Sequence, residues 1–156
     1  ILKMSGQQLI LVKGIHLPWE NRKKINIYIA APDFDFVNTS AIDVLCENLL
    51  YHNFSPRRPI KENGQMNEND NENQKLNYFN KDMELLQDCQ ILIAVLLFND
   101  PGTLIEIGVA AERKLPTFVY DPKNIAQNCM LTQIPNLVSS DLDEIISEVF
   151  CFASKI

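Results

Sequence analysis

The stretch Ile91-Leu92-Ile93-Ala94-Val95-Leu96-Leu97-Phe98-Asn99-Asp100-Pro101-Gly102-Thr103-Leu104-Ile105-Glu106 decides the fold of this chain. Its first eight residues are all apolar, too few to span a membrane and the right number for a strand buried on both faces. Such a strand belongs to a parallel sheet covered by helices. Leu104 to Ala111 then reads as a helix that is apolar on nearly every side except at Glu106, so it is expected to be largely buried. A carboxylate in that setting costs free energy unless something pairs with it or uses it. Two readings compete. Thr103 and Glu106 have the spacing of a capping box, and Asp100-Pro101 has the form of an N-cap followed by proline in the first turn. Alternatively, both carboxylates stand beyond the carboxyl end of a buried strand, where an α/β protein keeps its chemistry.

On the amino-terminal side, Ile25 to Ala31 is a β-branched, apolar strand that ends at Pro32. Thr39 or Ser40 can cap the helix that follows, in which Ile42, Leu45, Cys46, Leu49 and Leu50 recur at helical spacing. Phe54 to Arg57 predicts a short second strand. Residues 61–77, rich in Asn, Glu and Gln, have almost nothing to bury and read as a flexible insertion. A second helix, about Leu76 to Asp88, sets Asp82 on the core face with Leu85, Leu86 and Cys89. On the carboxyl side the pattern predicts helix Gly102–Lys114, strand Thr117–Tyr120, a helical turn around Asn124–Leu131, strand Asn136–Val138 and helix Leu142–Phe152. Strands alternating with helices imply an α/β protein with a doubly wound five-stranded parallel sheet and helices on both faces. Residues 25–156 form one domain, and residues 1–24 an N-terminal arm or extra strand, with Gln8 to Ile15 the strand candidate.

Composition narrows the function. A net charge of -6 and no basic stripe beyond Arg22-Lys23-Lys24 argue against nucleic acid as a partner. The four cysteines lack Cys-x-x-Cys spacing, and His16 and His52 have no companions at ligand spacing, so reduced thiols and no metal are expected. No apolar run approaches the ~20 residues of a membrane span, and residues 1–24 lack a secretory pattern, so a soluble, cytoplasmic protein is expected. Ala31-Pro32-Asp33 after the first strand matches neither phosphate-binding glycine motif, and no cofactor is called for.

Ligands of a doubly wound sheet bind where strand order reverses. Tyr28 in the first strand, Asp82 facing inward, and Asp100 and Glu106 after the central strand all converge on that edge. Several carboxylates and a phenol around one crevice suit covalent glycosyl transfer: one carboxylate attacks the anomeric carbon and another group manages the leaving base's proton. Convergent acids also raise one another's pKa.

Ile27-Tyr28-Ile29-Ala30, Asn80-Lys81-Asp82, Asn128-Cys129-Met130-Leu131 and above all Asp100-Pro101-Gly102-Thr103-Leu104-Ile105-Glu106-Ile107-Gly108-Val109-Ala110 give the sequence a further reading. In order and spacing it resembles the nucleoside 2-deoxyribosyltransferases from about Ile25 to Phe152. The resemblance implies a flavodoxin-like fold and a ping-pong exchange of 2-deoxyribose between the nucleobases of 2'-deoxynucleosides, with a covalent deoxyribosyl-glutamate and net retention. Glu106 is then the nucleophile, Tyr28 orients it, and Asp82 and Asp100 bind the base and manage its proton. Asp33, Phe34, Gly102, Thr103, Asn128 and Met130 are the substrate-binding candidates. Asn128 and Met130 are expected to reach a neighbouring subunit's site, which implies a homo-oligomer, a dimer or higher.

The chain departs from the family pattern in Ala31-Pro32-Asp33-Phe34-Asp35-Phe36, where relatives commonly carry glycine beside the proline; Phe34 or Phe36 could stack on a base. A hydrolase on the same scaffold, a deoxynucleoside or deoxynucleotide N-glycosidase, is the main alternative, and a binding module without turnover is the second. Phosphate-binding relatives tend to carry serine and arginine after strand one. Here Asp33 and Asp35 place negative charge there, which favours an unphosphorylated nucleoside. Arg57-Arg58 after strand two could contact a phosphate, but reads first as a solvated pair.

Overall fold

The computed structural model describes residues 16–156 and two strands ahead of them, β1 (Leu2–Ser5) and β2 (Gln8–Leu11), which pair antiparallel. The expected Gln8–Ile15 strand is thus present as Gln8–Leu11, and its last four positions lie outside the described residues.

Five parallel strands form the main sheet: β3 (Asn26–Ala30), β4 (Ser55–Arg57), β5 (Ile91–Val95), β6 (Thr117–Tyr120) and β7 (Leu137–Ser139), in the order β4-β3-β5-β6-β7. Every residue of β5 has zero exposure, as an unbroken apolar run at the centre of such a sheet requires. The strand ends at Val95, earlier than the apolar run does. Leu96 still donates its N–H to the Tyr120 carbonyl at 3.0 Å, but Phe98 has already turned outward.

Alternate residues of the strands feed two cores. Ile27, Ile29, Ile91, Ile93, Val95 and Phe118 face α2 (Ser40–Tyr51) and α7 (Leu142–Ala153), which contribute Ile42, Leu45, Leu49, Ile146, Val149 and Phe150. Tyr28, Ala30, Leu92, Ala94 and Val119 face α4 (Glu72–Gln87) and α5 (Pro101–Glu112), which contribute Leu85, Leu86, Ile107 and Ala110. The period of two therefore decides that Tyr28 looks toward the helices carrying Asp82 and Glu106. From β3 the chain moves to one side of the sheet for β4 and then to the other for β5, so the switch in strand order lies between β3 and β5.

Several boundaries differ from the sequence reading, the largest within 61–77. A short helix, α3 (Pro59–Asn63), occupies its start, and α4 begins at Glu72 rather than near Leu76. The cause is a capping box: Asn71 Oδ1 accepts from the Gln74 N–H at 2.9 Å and Gln74 Oε1 from the Asn71 N–H at 2.8 Å. Two smaller helices complete the chain, α1 (Trp19–Arg22) and α6 (Cys129–Gln133), the latter starting later than the turn expected around Asn124–Leu131. Among the described residues, no helix is long and apolar enough to cross a membrane.

Candidate active site

Tyr28, at the middle of β3 and fully buried, donates its hydroxyl to Glu106 Oε1 at 2.6 Å. That is the length of a charge-assisted bond between a hydroxyl and a carboxylate. The two residues are 78 positions apart and flank the switch point. Glu106 stands in the second turn of α5, past any capping position, and the cap reading for it falls. The N-cap is Asp100 instead, whose Oδ2 accepts the Thr103 N–H at 2.8 Å and the Thr103 hydroxyl at 2.7 Å, with Pro101 in the first turn.

Burial raises the Glu106 pKa from its ordinary 4.5 to about 7; the Tyr28 hydrogen bond opposes the rise, and the charges of Asp82 and Asp100 add to it. Burial, with the Glu106 charge next, drives the Tyr28 pKa far upward, so the phenol remains a donor. Asp82, half-buried on α4, is also raised by burial, against a hydrogen bond from Asn63 Nδ2 to its Oδ1 at 2.9 Å. Tyr28, Asp82, Asp100 and Glu106 therefore share one electrostatic environment.

Other candidates take different places. Gly102 is exposed, and a Cβ there would lie 3.4 Å from Asp100 Oδ2. Thr103 is buried and gives both of its donors to Asp100. Phe34 stacks on Phe36, with ring centroids 5.3 Å apart and planes 7° from parallel.

Asp33 is buried, and its two oxygens accept from Nε and Nη2 of Arg58, both at 2.7 Å. Arg58 also reaches Asp43 at 2.8 Å, and Arg57 bonds Glu62. These pairings correct one reading: Arg57-Arg58 is not a solvated pair but is engaged by Glu62, Asp33 and Asp43. Arg58 offsets part of the Asp33 charge, while the Asp35 carboxylate stays exposed beside Lys61.

Asn128 caps α6 by accepting the Met130 N–H at 2.9 Å, and Met130 is 62% exposed. Both line a groove of about 450 Å³ with Leu104, Ile107, Gly108 and Ile134. Leu104, Ile107 and Gly108 lie on a different face of α5 from Glu106. One protomer therefore does not bring Asn128 and Met130 to the Glu106 carboxylate.

Asn63 escaped the sequence reading, and so did the pairing of Arg58 with Asp33 and Asp43. The signal for their helix was Pro59 at its first position and Gly64 just past its end. Among the described residues, no group of three or more His, Cys, Asp or Glu side chains is placed to hold a metal ion.

The sequence model described as nucleoside 2-deoxyribosyltransferase matches residues 27–140, well over half of the chain. No curated protein matches it in sequence. The fold is similar to that of a 2-deoxyribosyltransferase from Bacillus psychrosaccharolyticus, with a TM-score of 0.67 at 19% identity over 77% of this chain and 89% of that one. It is similar also to a conserved protein from Enterococcus faecalis, with a TM-score of 0.61 at 19% identity over 80% of this chain and 96% of that one. A CMP N-glycosidase from Clostridium botulinum matches at a TM-score of 0.47 and 15% identity, over 81% and 98% of the two chains.

Proposed function

The chain belongs to the nucleoside 2-deoxyribosyltransferase family, and from that premise we propose that it exchanges 2-deoxyribose between nucleobases with Glu106 as the nucleophile. The observation that carries this reading is the 2.6 Å bond from the buried Tyr28 hydroxyl to Glu106. It holds one carboxylate oxygen and leaves the other for attack.

In the first half-reaction Glu106 forms a bond to C1' of a 2'-deoxynucleoside while the N-glycosidic bond breaks. The electron pair leaves with the base nitrogen, and Asp82 or Asp100 supplies the proton the departing base needs. In the second half-reaction the nitrogen of an incoming base attacks C1', its proton passes to the same acid, and Glu106 departs as a carboxylate. Two inversions give net retention. The Tyr28 hydrogen bond stabilises the leaving carboxylate and so favours the second step. Phe34 and Phe36 offer the base an aromatic face. Asn128 and Met130 complete the sugar pocket of an adjacent subunit in a homo-oligomer.

The test is product analysis. Purified protein is incubated with a 2'-deoxynucleoside, with and without a second free base, and the products are separated chromatographically. A new nucleoside formed only with the added base supports transfer. Free deoxyribose in both tubes overturns transfer in favour of hydrolysis, and binding without any product overturns both.

A further inference from the structure

Resting on the acid role given to Asp82 above, we infer that Asn63 is a positioning residue: α3 holds its side-chain amide on Oδ1 of Asp82, fixing where that carboxylate points and helping decide which carboxyl group of the crevice holds the proton. The contact joins residues 19 positions apart at 2.9 Å.

Five residues of helix have no stability of their own, so the placement of α3 is set by what grips its ends. At the amino end Arg58 is clamped by Asp33 and Asp43, and Pro59 is buried in the first turn. At the carboxyl end the chain leaves through Gly64 at φ +104°, a conformation side-chain-bearing residues rarely adopt. A Cβ on Gly64 would come within 3.3 Å of the Tyr78 ring of α4, the helix that also carries Asp82. Asn63 is the last helical residue before that exit, so both grips bear on its position.

The chemistry of the partner explains the choice of residue. The titratable groups that feel the Asp82 charge are the Tyr28 phenol on β3 and Glu106 on α5. None of the ion pairs among the described residues involves Asp82. A cation in place of Asn63 would hold Asp82 ionised throughout. An amide instead donates to the carboxylate and, turned over, accepts from the carboxylic acid, so it serves both states of a group that takes up and returns a proton. The crevice thus has one neutral donor for each of two carboxyl groups: Tyr28 for Glu106 and Asn63 for Asp82.

The test follows the carbon-13 carboxyl resonances of Asp82 and Glu106 against pH in the full chain and in Asn63→Ala, with assignments from Asp82→Asn and Glu106→Gln. The expected result is a rise of about one pH unit in the Asp82 midpoint and an opposite, smaller shift in that of Glu106, whose neighbour is now neutral over more of the range. Asn63→Ser, whose hydroxyl also donates and accepts, restores part of the shift and serves if the alanine variant fails to fold. Where exchange is measured, the pH profile of kcat/KM moves with the Asp82 midpoint while thermal stability barely changes. An unmoved Asp82 midpoint in a folded variant overturns the inference. A chain without exchange activity sinks the proposed function instead, and the carboxyl titration still decides the part played by Asn63.

Discussion

At the residue scale Glu106 is costly in the folded chain, and that cost has a sign. Its folded pKa of about 7 lies above the 4.5 of an unfolded carboxyl, so the native state binds the proton more tightly. The Glu106 contribution to stability is most favourable below pH 4.5, falls as pH rises toward 7, and stays lower above it. The penalty at alkaline pH is of order 3 kcal/mol. Glu106→Gln is therefore expected to be more stable than the parent chain by about 2 kcal/mol at about pH 8.5 and to match it at low pH, as urea unfolding at several pH values will show. A variant no more stable at alkaline pH contradicts the buried, ionised carboxylate. Tyr28 supplies the second handle. Tyr28→Phe removes the donor to the ionised form, and the acid limb of kcat/KM should climb from near 7 by about one pH unit. A limb that stays in place denies the hydrogen bond its role. Glu106 was legible in the sequence as a lone charge on an apolar helix, whereas the Asp33–Arg58 pair was not, because its members come from different strand ends, 25 residues apart.

Among the elements, α5 combines two tasks at its start, and one substitution separates them. Asp100→Asn keeps a side-chain oxygen to accept the Thr103 N–H, so its melting temperature should stay near that of the parent chain, while Asp100→Ala loses the cap at a cost of about 1 kcal/mol. If Asp100 manages the base's proton, both variants lose turnover alike, and rates are the measurement that checks this. An asparagine variant with full activity reduces Asp100 to a cap. The long elements could be read in advance because each carries its own signal: β5 an unbroken apolar run, α2 and α7 a helical stripe, α5 a proline behind an aspartate. Short α3 carried only the weak local signal of Pro59 and Gly64, since much of its placement is lent by an ion pair whose partner, Asp33, is distant in sequence. The start of α4 was available in Asn71 and Gln74, but the polar composition around them hid the capping box.

For the whole molecule, the groove between α5 and α6 sets the terms. It holds Asn128 and an exposed Met130 on a face of α5 that Glu106 does not share. If those residues serve a neighbour's site, chains carrying Glu106→Ala and chains carrying Asn128→Ala are each inactive alone, yet mixing and reassembly should restore some activity. In such mixtures a fraction of sites draws its intact glutamate and its intact asparagine from different chains. Assays of the mixture against each parent at equal total protein read this directly, and no recovery places each site within one chain. The parallel, doubly wound sheet followed from strands alternating with helices, but no pattern within one sequence shows which exposed apolar side chains a second copy covers.

The bond between Tyr28 and Glu106 also has an optical consequence. A phenol that donates to an anion absorbs at longer wavelength than one that donates to a neutral acceptor. If Glu106 forms the ester proposed for it, its charge vanishes, and the Tyr28 band should move to shorter wavelength on adding nucleoside alone, then return when a free base takes the sugar. The chain would thus carry its own chromophore for the covalent intermediate, set beside the atom where that intermediate forms.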